Sequence, residues 1–180
     1  MAVGPSDLWD TLAREAEAES ALWAAALRPA GEQEPVAVFS PLADERFAFG
    51  LETVYEGYLA HYGRPRLFSA ANADEALLLG DYLYAHGLVR VASLGEPAAV
   101  GNLAELLALC AQLRGDGARG DGAAWAATAV LLGRADGRLE DARAALGDRG
   151  DFGPLVRLAA DEAGEERVAH ALGLHADRVD

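Results

Sequence analysis

Two glutamates four residues apart, Glu52 and Glu56, come closest in this sequence to a chemical site by residue type and spacing. Residues i and i+4 lie on one face of an α-helix, so the two carboxylates would project side by side. Such a pair can bind a hard cation such as Mg²⁺ or act in general acid–base catalysis. The alternative is a pair of solvated glutamates on the polar side of an amphipathic helix, which is the more common arrangement.

Three tyrosines on the same segment, Tyr55, Tyr58 and Tyr62, form an aromatic stripe at helical spacing. Such a stripe can line an apolar ligand pocket. Aromatic stripes more often bury against neighbouring elements in a core or a subunit interface. Both interpretations remain open from the sequence.

Two arginines, Arg64 and Arg66, flank Pro65 in the loop that follows. A guanidinium matches phosphate oxygens in a bidentate geometry, so the pair is a candidate site for a diphosphate. The chain contains 29 acidic residues, and the same arginines can equally pair with carboxylates of the protein itself. The lone Cys110 lies in a Leu-rich segment and is expected to be a buried, inert thiol.

The elements that must position these residues are helices. Apolar residues recur at helical spacing, Ala and Leu dominate, and strand-like alternation is absent. The pattern predicts a first helix carrying Leu8 to Trp23, a second from residue 41 or 42 to 61, and a third that begins after a cap at Asn72 or Asp74 and ends near 93–97. Five further helices are predicted at about 98–113, 123–133, 139–147, 152–163 and 165–176. The expected fold is an all-α bundle forming one domain over 1–180, with a Gly/Asp-rich loop at 114–122 between residues 1–113 and 123–180.

Composition excludes several classes of function. All 15 basic residues are arginine, so lysine Schiff-base chemistry and a Walker-type phosphate loop are ruled out. A net charge of −14 makes nucleic acid and anionic membranes unfavourable partners. With no signal-like start and no apolar run long enough to span a bilayer, a soluble cytoplasmic protein is expected.

Residues 64–113 resemble the trans-isoprenyl (polyprenyl) diphosphate synthases. Gly63, Arg64 and Pro65 stand where that family carries a G-x-P motif, and the stretch from Gly80 to Leu83 matches its G-D-x-L motif at the spacing typical of the family. The resemblance implies a truncated isoprenoid synthase fold. It also implies that Gly63, Pro65, Gly80, Asp81 and Leu83 are structural, with Gly80 allowing close helix packing and Asp81 making a buried, satisfied polar contact.

The chain departs from that family where the chemistry resides. Catalysis by these synthases requires two aspartate-rich motifs whose carboxylates bind Mg²⁺, and this sequence contains no Asp-Asp pair. The first motif is missing before the loop at 63–65, and His61 and Tyr62 replace the two arginines that would bind diphosphate there. We therefore expect no catalytic residues, no resident metal and no cofactor.

The resemblance implies a non-catalytic subunit or regulator that associates with a catalytic prenyl synthase subunit, or a homodimer, through the Tyr-, Trp- and Leu-bearing faces of the first four helices. One alternative is a minimal prenyltransferase or terpene-processing enzyme, in which Glu52, Glu56, Asp74 or Asp81 converge on Mg²⁺. Another is a homo-oligomeric helical interaction module. Geometry separates these alternatives, because an enzyme needs a pocket with convergent carboxylates.

Overall fold

A computed structural model describes residues 5–179, with side chains from residue 8 onward, and every regular element in that range is a helix, apart from one isolated β-bridge between Leu27 and Phe68. The α-helices are α1 (Pro5–Glu19), α2 (Ala21–Ala26), α3 (Ala48–Tyr62), α4 (Ala73–Ala92), α5 (Pro97–Gly115), α6 (Asp121–Val130), α7 (Gly137–Arg149), α8 (Gly153–Ala163) and α9 (Glu165–Val179). Short 3₁₀ turns occupy Ala30–Glu32, Ser40–Leu42 and Glu45–Phe47. The predicted all-α class is confirmed for these residues.

Local capping chemistry explains where the helices begin. The Asn72 side chain accepts a hydrogen bond from the backbone N–H of Glu75 at 2.9 Å, as predicted for the start of α4. The first predicted helix is wrong in one respect, because it breaks at Ser20, whose hydroxyl caps α2. The second helix also begins later than predicted, at Ala48, since two 3₁₀ turns precede it. The remaining boundaries agree to within a few residues.

Two helices lie at the centre of the molecule. Every residue from 50 to 59 in α3 and from 121 to 130 in α6 is buried. The main hydrophobic cluster draws side chains from residues on both sides of the 114–122 loop, from Val38 to Ala171. The residues after that loop therefore share the core of the residues before it. A smaller cluster joins α1 and α2 to the buried side of α4.

Four glycines let α3 and α4 cross at close range. Gly50 and Gly57 lie seven residues apart in α3, and Gly80 and Gly87 lie seven apart in α4. A Cβ on Gly57 would lie 2.8 Å from the Gly80 carbonyl oxygen, and a Cβ on Gly87 would lie 2.8 Å from that of Gly50. The two helices therefore pack antiparallel through backbone contacts, with the His61 ring filling the space beside Gly80. This packing explains why a core helix carries a glycine at position 80.

Candidate functional site

Glu52 and Glu56 form a buried ionic cluster with Arg66, and all three side chains are 0% exposed. Arg66 pairs through Nη1 with Glu52 Oε2 and, at 2.8 Å, through Nε with Glu56 Oε2. The other oxygen of Glu52 accepts the backbone N–H groups of residues 38–40 at 2.8–3.1 Å. The other oxygen of Glu56 accepts those of Arg66 and Leu67 at 2.7 and 2.8 Å. Each carboxylate is thus fully engaged within the protein.

This cluster fastens two loops to the central helix. Arg66 also donates to the carbonyls of Val36 and Glu52 at 2.9 and 3.0 Å, and its guanidinium lies 4.5 Å from the Trp9 ring and 5.0 Å from the Tyr55 ring. Burial disfavours the charged guanidinium, but the two carboxylates outweigh burial and raise the pKa of Arg66. The interpretation of Glu52 and Glu56 as solvated glutamates is wrong, because α3 is buried on all sides here.

The carboxylates required by the enzyme alternative do not converge. Glu52 and Glu56 are paired with Arg66 inside the core, whereas Asp74 and Asp81 are exposed on the outer side of α4. Within residues 5–179, no group of three or more His, Cys, Asp or Glu side chains is arranged to hold a metal ion. The described carboxylates therefore give the enzyme alternative no geometric support.

Tyr55 and Tyr58 belong to a second buried polar network, which joins α3 to α5, α6 and α9. The Tyr55 hydroxyl lies 2.9 Å from His175 Nδ1, and His175 Nε2 lies 3.2 Å from Asp121 Oδ2. Tyr58 donates to the same Asp121 oxygen, and Arg114 donates to it at 2.5 Å. Both tyrosines are 0% exposed, so they pack in the core and do not line an open pocket.

The electrostatics of this network keep Asp121 ionised. Burial opposes the charge, but the hydrogen bonds from His175 and Tyr58 and the nearby Arg114 outweigh it and hold the pKa of Asp121 well below its ordinary value. Burial, together with the neighbouring Cys110 and Asp121, raises the pKa of Tyr58. Burial also raises the pKa of Cys110, as expected for an inert thiol. The network is a structural connection between helices.

Replacing Tyr58 with phenylalanine tests that role. The ring volume is retained while the hydrogen bond to a charged carboxylate is lost, so we expect the free energy of unfolding at neutral pH to fall by about 1–2 kcal/mol. Because folding lowers the pKa of Asp121, its contribution is present above the unfolded-state value of about 4 and is lost as the pH falls below it. The difference in the free energy of unfolding between wild type and variant should therefore become smaller in acid. Urea unfolding at several pH values measures it, and a difference that grows in acid would contradict the assignment.

The loop that resembles the G-x-P motif is tied to the end of α9. The backbone N–H of Arg64 donates to the Arg178 carbonyl at 2.9 Å, and a Cβ on Gly63 would lie 2.7 Å from that same oxygen. The Arg64 side chain is exposed and makes a long contact of 3.4 Å to the Asp177 carbonyl. Pro65 is partly buried, and Tyr62 is half-buried against the core. Arg64 and Arg66 thus point into different environments and do not form one basic site.

Asp81 is not buried, which corrects the sequence-based expectation. Its side chain is 67% exposed, and its Oδ1 lies 3.4 Å from His61 Nε2, whose side chain is 10% exposed. Leu83, three residues after Gly80, does face the core. The G-D-x-L stretch therefore places its glycine and leucine inward and its aspartate on the surface.

The outward sides of α4 and α5 form an apolar surface, which we call the α4–α5 face. The two helices contact each other and pack on the same core. Leu77, Leu78 and Val89 are 55%, 55% and 67% exposed. The face comprises Leu77, Leu78, Asp81, Ala85, Val89 and Ala92 of α4 with Gly101, Ala104, Ala108 and Ala111 of α5, all exposed. Asp81 lies among these residues, while two further exposed carboxylates, Asp74 at the start of α4 and Glu105 of α5, lie beside them.

The sequence contained a signal for this face that the sequence-based interpretation missed. Helix α4 is apolar around most of its circumference, and a helix with apolar residues on all sides is normally covered on all sides. The Tyr and Trp part of the predicted contact surface is wrong, since Trp9, Trp23, Tyr55 and Tyr58 are buried within the chain. Its Leu-bearing part includes the exposed Leu77 and Leu78 of α4.

A groove of about 220 Å³ lies between α1 and the end of α4. Two arginines line it, but each already has a carboxylate partner: Arg46 bonds Glu96 at 2.9 Å, and Arg90 pairs with Glu15. The remaining lining is mostly apolar, including Phe49 beneath the Arg90 guanidinium at 4.8 Å. The groove is a weaker candidate for a functional site than the α4–α5 face, because its cations are neutralised locally.

The chain matches no protein-family model, no curated protein and no solved structure. No helix within residues 5–179 is long and apolar enough to cross a membrane. The class that the fold and site define is therefore an all-α protein with an uncovered apolar helical face.

Proposed function

We propose that this protein is a cytoplasmic, non-catalytic subunit or regulator of a polyprenyl diphosphate synthase, and that it acts by helix–helix association through the α4–α5 face. The observation that carries the proposal is this face itself. Apolar surface of this extent on a charged protein is typical of a protein–protein contact site. Its leucines and valine supply the apolar area, and its alanines and glycine allow a partner helix to approach closely.

The resemblance of residues 64–113 to the polyprenyl synthases supports the identity of the partner. Those residues include all of α4 and all of α5 except its last two residues. The carboxylates nearest to a catalytic arrangement, Glu52 and Glu56, are occupied by Arg66, which supports a role without catalysis. A catalytic subunit with both aspartate-rich motifs would supply the Mg²⁺ chemistry.

The charge of the chain favours a different protein over a second copy as the partner. Two chains of net charge −14 repel each other, and the α4–α5 face with its neighbouring carboxylates Asp74 and Glu105 carries negative charge but no cation that could compensate in a symmetric pair. A partner with an apolar helical surface and less negative charge than this chain complements the face in both respects.

The first test is affinity purification of the tagged protein from its native cells, with mass spectrometry of the proteins that remain bound. We expect stoichiometric recovery of a full-length prenyl synthase that carries both aspartate-rich motifs. The length of the prenyl products made with and without this chain then measures regulation. Light scattering of the purified chain gives its oligomeric state, and a homodimer without a synthase would overturn the proposal in favour of a homo-oligomeric module.

Charge placed on the α4–α5 face should abolish this association. Leu78→Glu and Val89→Glu should each weaken binding of the recovered synthase by roughly a hundredfold or more, because each would bury a carboxylate in an apolar contact. Both side chains are more than half exposed, so the fold should be retained. Leu22→Glu, at an exposed leucine of α2, is the matched control and should bind like wild type. Binding unaffected by the first two substitutions would place the contact elsewhere.

A further inference from the structure

A histidine–aspartate pair lies at the seam between α3 and the α4–α5 face. His61, near the end of α3, has its Nε2 3.4 Å from Asp81 Oδ1. The absence of a side chain at Gly80 makes room for the imidazole, since a Cβ there would collide with the ring. The two consecutive residues Gly80 and Asp81 therefore build the pair together: one admits the ring and the other supplies the carboxylate.

Asp81 is surrounded along α4 by uncharged residues of the face. Leu77 and Leu78 precede it by four and three residues, and Ala85 follows it by four, so all three are its neighbours on the helix surface. A partner that covers these residues must also cover Asp81. Removing water from an ionised carboxylate is costly unless a cation lies close by.

His61 is the group placed to supply that cation. The titratable groups that face it are Asp81 and Tyr84 of α4 and Tyr62 of its own helix, with ring centroids 5.0 and 5.6 Å away for the two tyrosines. Burial lowers the pKa of His61 below its ordinary value, and Asp81 only partly opposes this. In the free protein His61 is therefore mostly neutral at neutral pH.

A partner that covers the face would remove different amounts of water from His61 and Asp81. The His61 side chain is 10% exposed and has little water left to lose, whereas Asp81 is 67% exposed and would lose most of its hydration. With water excluded, the attraction between Asp81 and a protonated His61 becomes stronger, because the local dielectric constant falls. The gain in attraction therefore exceeds the additional desolvation of the imidazole.

We propose that docking of a partner on the α4–α5 face is coupled to uptake of a proton by the His61–Asp81 pair, so that association tightens as the pH falls. This inference rests on the proposed function and adds a regulation to the same site. The sign follows from linkage: the complex binds one more proton than the free chain between the two pKa values of His61, so affinity rises toward lower pH. One proton sets a limit of about tenfold in affinity per pH unit.

The first experiment uses the isolated chain and is independent of any partner. Nuclear magnetic resonance titration of the His61 ring should give a pKa below the ordinary value of a histidine. In Asp81→Asn the pKa of His61 should fall further, since the stabilising carboxylate is gone. An unchanged His61 pKa in Asp81→Asn would show that the pair is not coupled and would overturn the inference.

The second experiment measures the affinity of the recovered synthase subunit between about pH 5.5 and 7.5, the range in which histidine titrates. Wild type should bind several-fold more tightly at the lower pH. His61→Gln should lose this dependence, and His170→Gln, at an exposed histidine of α9, should keep it. Asp81→Asn should bind at least as tightly as wild type at neutral pH, and its affinity should not depend on pH, because no charged carboxylate is then buried. An aspartate with only a structural role would not give that result.

The outcomes separate the two proposals. Binding that is equally tight across the pH range overturns the proton coupling and leaves the proposed function standing. No recovery of a synthase at any pH in this range overturns both. Tighter binding at low pH that persists in both His61→Gln and Asp81→Asn assigns the effect to other groups and overturns the inference alone.

Discussion

Replacing Arg66 with methionine is expected to lower the free energy of unfolding by about 3–5 kcal/mol. The substitution leaves Glu52 and Glu56 in the core without their counter-ion, and both side chains are 0% exposed. It also removes the guanidinium donors that hold the Val36 and Glu52 carbonyls. Since domains of this size are typically stable by only about 5–15 kcal/mol, the variant should be close to unfolding at room temperature. Urea unfolding followed by circular dichroism measures the change.

Two further variants identify the cause of this loss. Adding Glu52→Gln and Glu56→Gln to Arg66→Met should recover part of the stability, because no uncompensated charge then remains buried. Arg138→Met removes an arginine that also pairs with two carboxylates, Asp136 and Glu162, but at the surface with 57% exposure, and it should change stability little. An Arg66→Met variant that unfolds at the same urea concentration as wild type would contradict the assigned role of the cluster.

The ionic cluster shows what the sequence could not provide. The spacing of Glu52 and Glu56 places them on one helix face, and that local inference holds. Their burial depends on the loop after α3, which brings Arg66 back to the helix. Arg66 there contacts Glu56, 10 residues earlier in the sequence, and Glu52, 14 residues earlier. The chain before α3 also contributes, since the backbone N–H groups of residues 38–40 donate hydrogen bonds to the Glu52 carboxylate. Long-range contacts of this kind are set by how elements pack and leave no periodic signal in the sequence.

Helix positions were more predictable because their determinants are local. Asn72 caps α4 through a residue three positions away, and the glycines near residues 115–120 and at 164 separate helices as expected. The exposure of Asp81 could not be predicted from local signals. Periodicity identifies α4 as an apolar helix, but the side of the helix that faces solvent depends on where α1, α3 and α5 lie.

Replacing Gly87 with alanine is expected to destabilise the protein although alanine is the better helix former. The new methyl group would lie 2.8 Å from the Gly50 carbonyl oxygen and 2.9 Å from the Val54 backbone nitrogen. These are backbone atoms of a buried helix, so they cannot move aside without displacing α3. Overpacking of this kind costs about 1–3 kcal/mol, which outweighs the gain in helix propensity of about 1 kcal/mol. Thermal and urea unfolding measure the net loss.

The matched control is the same substitution where the helix surface is open. Gly101 lies on the exposed side of α5, and a Cβ there would meet no atom within 4 Å. Gly101→Ala should therefore stabilise the chain by about 0.5–1 kcal/mol through helix propensity alone. The same added methyl group should thus have opposite effects in two helices of one protein. If Gly87→Ala stabilised the chain as Gly101→Ala does, α3 and α4 could not be packed through their backbones at Gly50 and Gly87.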